Sequence, residues 1–153
     1  MQLDTALTAV RRTVAPYGYP VRVVLAIVAS MVGNAALLAI ALALSVAPGF
    51  MALAYPPVLF LTVVGAAGAA LVYWVLTTRV ENPDRTFKRI VVAVLALSFI
   101  PDFGLLVADE AATLAGVIVL MLMHVVVAVA CVALLPAGQI VPSPEPEAES
   151  EPR

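Results

Sequence analysis

The chain has 153 residues, of which 63% are hydrophobic and only 12% charged, and its mean hydropathy is +1.09. Soluble domains carry about 25% charged residues, so this composition excludes an ordinary water-soluble globule and implies a membrane protein. The formal net charge of −2 comes with no basic patch interleaved with aromatics, so nucleic-acid binding is not expected.

Residues 1–20 form an N-terminal segment. Leu3, Ala6, Leu7 and Val10 make a mildly amphipathic stretch, followed by Arg11 and Arg12. It reads either as a helix lying along the inner membrane surface or as a frayed terminus. A membrane domain follows over residues 21–136, with four continuous apolar runs at 23–46, 58–76, 90–108 and 113–135. Each has about the twenty residues that a helix needs to cross a hydrocarbon core of roughly 30 Å. A barrel strand would alternate, and an isolated span must satisfy its own backbone hydrogen bonds. The expected fold is therefore all-α, a four-helix transmembrane bundle in one domain.

Within the first run, Ala41, Leu42 and Ala43 have the small-residue pattern of a signal cleavage site. The run is far longer than a secretory core of about seven to fifteen residues, so it reads as a retained span. Tyr55 near the outer side, and Tyr73 and Trp74 near the inner side, fit the aromatic belts of membrane helices. Asn82, Pro83 and Asp84 predict a helix start, with Asn82 as N-cap, proline in the first position and acid in the first turn. Residues 137–153 are a Pro/Glu tail that cannot bury a core, and disorder is expected there.

Basic residues mark cytoplasmic loops. Arg11, Arg12 and Arg22 precede the first run, and Arg79, Arg85, Lys88 and Arg89 lie between the second and third. The other two connections carry no basic residue; the later one holds Asp109 and Glu110. Both termini are thus expected in the cytoplasm, in a multi-pass protein of the plasma membrane.

Polar residues recur on one side of each predicted helix. Ser30 and Asn34 lie one turn apart in the first. Thr62, Gly65, Ala66, Ala69 and Tyr73 share a side of the second, with Gly65 and Ala69 a small-x-x-x-small pair, Ser98 and Asp102 are one turn apart in the third, and His124, Ala128 and Cys131 share a side of the fourth. Membrane helices associate through small residues and interhelical hydrogen bonds, so Ser30, Gly65, Ala69 and Ala128 are expected as a packing stripe. A charged group near mid-bilayer costs roughly 2.5–3.5 kcal/mol on insertion scales, so Asp102 requires a partner. At 1.5 Å per residue, Asn34 and His124 each lie roughly 16 Å into their runs, and Asp102 lies roughly 18 Å from the inner end of its own. Asn34, Ser98, Asp102 and His124 are accordingly the expected polar cluster, with Asn34 completing an Asp102–His124 pair. Pro101 removes a backbone hydrogen bond, and with Gly104 it predicts a bend beside the carboxylate.

Three roles for Asp102 stay open on these residues: a polar clamp that fixes helix packing, a proton, ion or small-molecule site, or a carboxylate facing an outer vestibule. One histidine and one cysteine fit no zinc pattern, and neither a metal nor a cofactor is expected. No phosphate loop or serine-nucleophile motif is present. An intramembrane hydrolase using Ser30 or Ser98 with His124 and Asp102 is the weaker alternative to a non-enzyme.

The order of features is an asparagine in the first run, then Arg85, Thr86, Phe87, Lys88, Arg89 and Ile90, then Pro101 and Asp102, then Leu120, Met121, Leu122, Met123 and His124. In this the stretch Val21 to Leu135 resembles a family of small four-helix prokaryotic integral membrane proteins known only as a domain of unknown function. The resemblance implies the four-helix architecture and a plasma-membrane location, and it brings no activity, substrate or functional residues. The expected function is a non-enzymatic structural or accessory bundle. Its expected partners are the lipid bilayer and either a second copy of itself or another membrane protein. The alternative is a small oligomeric transporter or proton-coupled carrier using Asp102 and His124.

Overall fold

The computed structural model describes residues 2–136, of which 2–4 are described as backbone only; the expected disorder of the Pro/Glu tail lies outside the described residues. Those residues are all-α. The helices are α1 (Gln2–Val14), α2 (Tyr19–Ala43), α3 (Tyr55–Arg79), α4 (Pro83–Ala108) and α5 (Leu114–Leu134), with a 3₁₀ turn at Met51–Leu53. The helices α2 to α5 are each long and apolar enough to cross a membrane. Three of them start before their apolar runs, at Tyr19, Tyr55 and Pro83. Each of these starts has proline in its first turn, where the missing N–H is not needed and the fixed φ suits a helix. Asn82 holds the N-cap position of α4: its carbonyl accepts from the Thr86 N–H at 3.2 Å, but its side chain makes no capping bond.

The first helix ends three residues before its apolar run does. Leu44 caps α2, and Ser45 takes a left-handed φ of 51°. The Ser45 N–H then donates to Leu42 and the Val46 N–H to Ala41, both at 3.0 Å. This pair of reversed bonds is a Schellman motif, and it turns the chain sharply into the loop before α3.

Two clusters show that the four helices run up, down, up and down. At one end Ala26 of α2, Ala70 and Tyr73 of α3, Phe87 of α4 and Cys131 of α5 pack together. At the other, Leu38, Val58, Leu120 and Met123 pack with Phe50 and Leu53 of the loop, with Leu105 of α4 against them. Packing of α2, α3, α4 and α5 follows the ring α2–α3–α4–α5, with α3 and α5 also touching across it. The core face of α2 is Ala26, Ser30, Asn34, Leu38 and Ala41, and that of α3 is Val58, Thr62, Ala66, Ala70 and Tyr73. Both follow the same 4-4-4-3 spacing, which keeps one face of a helix inward.

Of the side expected on α3, Thr62, Ala66 and Tyr73 are buried, and the small pair Gly65 and Ala69 lies off the core face. Ala66 and Ala70 are buried, whereas Gly65 is exposed and Ala69 half-buried. The reason is that Thr62 faces inward to meet α2, and the positions one and two turns beyond it are 66 and 70. Gly65 sits at the flank, where an added Cβ would meet Val127 only at an ordinary 3.9 Å. Ser30 is fully buried, its hydroxyl donating to the Ala26 carbonyl at 2.7 Å, and Ala128 is half-buried. Close backbone approach occurs instead at two other glycines. A Cβ on Gly33 would lie 2.7 Å from Val126 Cγ1, and one on Gly116 would lie 2.9 Å from the Ala47 Cβ.

Two arginines close the end of α5. Arg22 Nη1 donates to the Leu135 carbonyl at 2.7 Å, and Arg11 Nη2 donates to the Val132 carbonyl at 3.0 Å. The last carbonyls of a helix lack intrahelical donors, and a cation there also opposes the negative end of the helix dipole. Arg11 ties α1 to the bundle in this way. Beside them, the Tyr19 ring stacks on Tyr73, Tyr73 meets Phe87 edge-on at 5.1 Å, and the Tyr73 hydroxyl and Asp84 Oδ1 are 2.8 Å apart. At the opposite end, Thr113 Oγ1 accepts from the Gly116 N–H at 3.0 Å as the N-cap of α5 and donates to the Val46 carbonyl at 3.2 Å.

Gly33 supplies the sharpest packing test. Valine has one favoured rotamer in a helix, so Val126 cannot easily turn away from a new methyl. Gly33→Ala should destabilise the protein by about 1–3 kcal/mol, as overpacked cores do, in reversible unfolding in mixed micelles. Adding Val126→Ala should recover most of that loss.

Candidate functional site

The least buried helix carries the buried carboxylate. In α4 only 6% of the most apolar stretch is buried, against 22% to 28% in the other three candidate spans. Val92, Val94, Leu97, Ile100, Phe103 and Val107 are all exposed. Buried on α4 are Phe87, at 0% exposure, and Asp102, at 6%. They lie fifteen positions apart, roughly 22 Å along the axis at 1.5 Å per residue, and so fix the helix near both ends.

Asp102 faces α5. Its Oδ2 lies 3.2 Å from His124 Nδ1, the one ion-pair contact among the described residues. The same Nδ1 lies 2.9 Å from the Leu120 carbonyl, one turn back on α5. A carbonyl can only accept, so the hydrogen of His124 sits on Nδ1 and points toward Leu120. Asp102 Oδ2 consequently has proximity without alignment: it is buried and accepts no well-formed hydrogen bond. The contact is thus one of proximity, and it is a true ion pair when both groups carry their charge. The His124 side chain is 43% exposed. With Nδ1 engaged by Leu120, part of the ring edge is open to the surroundings.

Asn34 joins a different partner. Its Nδ2 donates to Thr62 Oγ1 at 2.8 Å, and the threonine hydroxyl donates to the Val58 carbonyl at 2.7 Å. Both residues are buried, and Asn34 Oδ1 has no hydrogen-bond partner. The physical reason is the ring order: α2 flanks α3 and α5, whereas α4 stands diagonally across from it. Asn34 therefore links α2 to α3, and Asp102 approaches α5. The expected single cluster resolves into two contacts, Asn34–Thr62 and Asp102–His124. Ser98 belongs to neither; its hydroxyl donates to the Leu95 carbonyl at 2.7 Å.

The two residues of the expected bend lie on the outside of the bundle. Pro101 and Gly104 are exposed, and α4 continues seven residues past the proline to Ala108. A Cβ on Gly104 would meet nothing within 4 Å. No group of three or more histidine, cysteine or acidic residues that could hold a metal occurs among the described residues. Cys131 is buried in the aromatic end of the core. Thr62 was expected on the small or polar side of the second run, but sequence pattern gave it no partner. Its signal was available, since it is the threonine of the second run and lies on the face that also carries Ala66 and Tyr73.

Residues 8–139 match the profile of a family of unknown function (DUF6069). Neither a curated protein nor a solved structure matches the chain.

The two polar contacts make separable predictions. Interhelical polar pairs in membrane proteins contribute about 0.6–2 kcal/mol, and residues that share a contact are non-additive. A double-mutant cycle of Asp102→Asn with His124→Gln should show coupling of about 1 kcal/mol. A second cycle, Asn34→Ala with Thr62→Val, should do the same. Asn34→Ala combined with Asp102→Asn should be additive to within about 0.5 kcal/mol.

Proposed function

The chain belongs to DUF6069, a family of unknown function, and from that premise we propose that it is a non-enzymatic structural or accessory bundle of the plasma membrane. The observation that supports this reading most is the placement of Asp102. The carboxylate is almost wholly buried and sits at ion-pair distance from a neighbouring helix, within an apolar run that otherwise presents apolar residues outward. A polar contact so placed holds a helix that hydrophobic burial cannot hold, because lipid is as apolar as the helix surface. In this proposal both termini lie in the cytoplasm. Arg11 and Arg22 at the start of the chain, and Arg79, Arg85, Lys88 and Arg89 around the α3–α4 turn, lie at the same end of the bundle, while Asp109 and Glu110 lie at the other. That asymmetry supports the orientation. The bilayer is the primary partner, with a second copy or another membrane protein as the assembly the bundle serves.

A small oligomeric transporter or proton-coupled carrier is the second reading. It draws on Asp102 Oδ2, which lacks an aligned donor, and on the open ring edge of His124. Reconstitution separates the two. Liposomes containing the purified protein and a pH-sensitive dye should show the proton permeability of empty liposomes, for the wild type and for Asp102→Asn alike. A flux in the wild type that Asp102→Asn removes would overturn the structural reading in favour of the carrier.

A further inference from the structure

We infer that Arg11 and Arg22 form a phosphate-recognition site at the α5 C-terminus, and that its occupant is the headgroup phosphate of an anionic phospholipid. The inference deepens the membrane reading and rests on it.

Charge balance is the first argument. Arg22 is 8% exposed, and its guanidinium lies 5.7 Å from the centre of the Tyr19 ring. Arg11 is half-buried. The carbonyls they bond, Val132 and Leu135, are three residues apart on one helix, or about 4.5 Å along its axis. Two full positive charges therefore converge on one helix end. That end supplies only about half a negative charge, and among the described residues no carboxylate pairs with either arginine. Desolvated charge without a counter-ion is unfavourable.

Donor count is the second argument. Each guanidinium has five N–H donors, and each spends one on a carbonyl. The Nε of both arginines is buried with no hydrogen-bond partner. The pair is therefore under-satisfied on the donor side, and what it lacks is an acceptor with several oxygens. Phosphate fits guanidinium bidentately.

Location is the third. Arg22 stands immediately before the apolar stretch that begins at Val23, and α5 ends at Leu134, one residue before its apolar run does. Both positions correspond to the boundary between hydrocarbon and headgroups, where anionic lipid attracts basic side chains. Arg12, adjacent and exposed, adds to the attraction. The basic residues Arg85 and Lys88 are exposed on α4 at the same end and share none of the buried geometry, which makes them the control.

The test uses the full chain in nanodiscs of phosphatidylcholine, with and without phosphatidylglycerol of the same acyl chains. Insertion into the zwitterionic discs, scored separately, checks the membrane reading itself. Phosphatidylglycerol should raise the wild-type melting temperature by a few degrees. Arg11→Gln should lose that rise, and Arg85→Gln with Lys88→Gln should keep it. Native mass spectrometry of the unaltered protein should retain phosphatidylglycerol in preference to phosphatidylcholine, a readout independent of any variant's folding. Equal retention of the two lipids would overturn the inference. So would a rise that Arg11→Gln keeps, or one that the Arg85→Gln, Lys88→Gln variant loses equally. Inorganic phosphate added to phosphatidylcholine discs should give no comparable rise; if it does, the occupant is a free anion and the lipid assignment fails.

Discussion

The structure depends on how an apolar helix is held when burial gives it no reason to stay. On the reading of α2 to α5 as membrane spans, α4 illustrates the problem most fully. Its exposed valines, leucines and isoleucines gain nothing by leaving lipid for protein. Its buried residues are Phe87 near the start and Asp102 near the end. Phe87 is held by shape, edge-on to Tyr73 within the aromatic cluster. Asp102 is held by its polar contact with His124. A carboxylate in hydrocarbon is costly, and the same cost makes its placement directional, since only the side of α4 facing α5 relieves it.

The remaining helices use other means to the same end. The pair α2 and α3 combines matched 4-4-4-3 core faces with the Asn34–Thr62 hydrogen bond. The pair α2 and α5 uses the absence of a side chain at Gly33 to come close. The exposed carbonyls at the end of α5 are met by Arg11 and Arg22, and its first turn is capped by Thr113, which also ties down the Val46 carbonyl in the loop after α2. Polar chemistry is thus spent at helix ends and at two interior contacts, and the rest of the surface is left apolar.

Much of this was legible in the sequence, and the parts that were not share a cause. Helix class and the four apolar segments follow from hydrophobic runs of the right length, and Asp102 was conspicuous because charge is rare there. Helix ends were less legible, because a membrane helix continues past the hydrocarbon: Tyr55 and Arg79 lie in α3 although its apolar run covers 58–76. The expected side of α3 held Gly65 and Ala69 as well as Thr62, Ala66 and Tyr73, and only the partner helices select Ala66 and Ala70 over their neighbours 65 and 69. Asn34 was expected beside Asp102 on grounds of depth. Depth does not encode which helices are adjacent, and the diagonal placement of α2 and α4 gave Asn34 to Thr62. Arg11 and Arg22 read mainly as orientation signals, with contact to anionic headgroups as the lesser alternative, and their bonds to carbonyls more than a hundred residues away have no local signature.

The central claim is that Asp102 holds the Ala108 end of α4 against α5 while Phe87 independently holds the other end. Distances between spin labels test it most directly, in a Cys131→Ala background. One pair would be placed at exposed Val107 and Ile118, near the Ala108 end, and a second at exposed Val92 and Val129, nearer the other. The account predicts that Asp102→Asn lengthens and broadens the Val107–Ile118 distance and leaves the Val92–Val129 distance unchanged. An unchanged Val107–Ile118 distance, or equal broadening of both pairs, would contradict it.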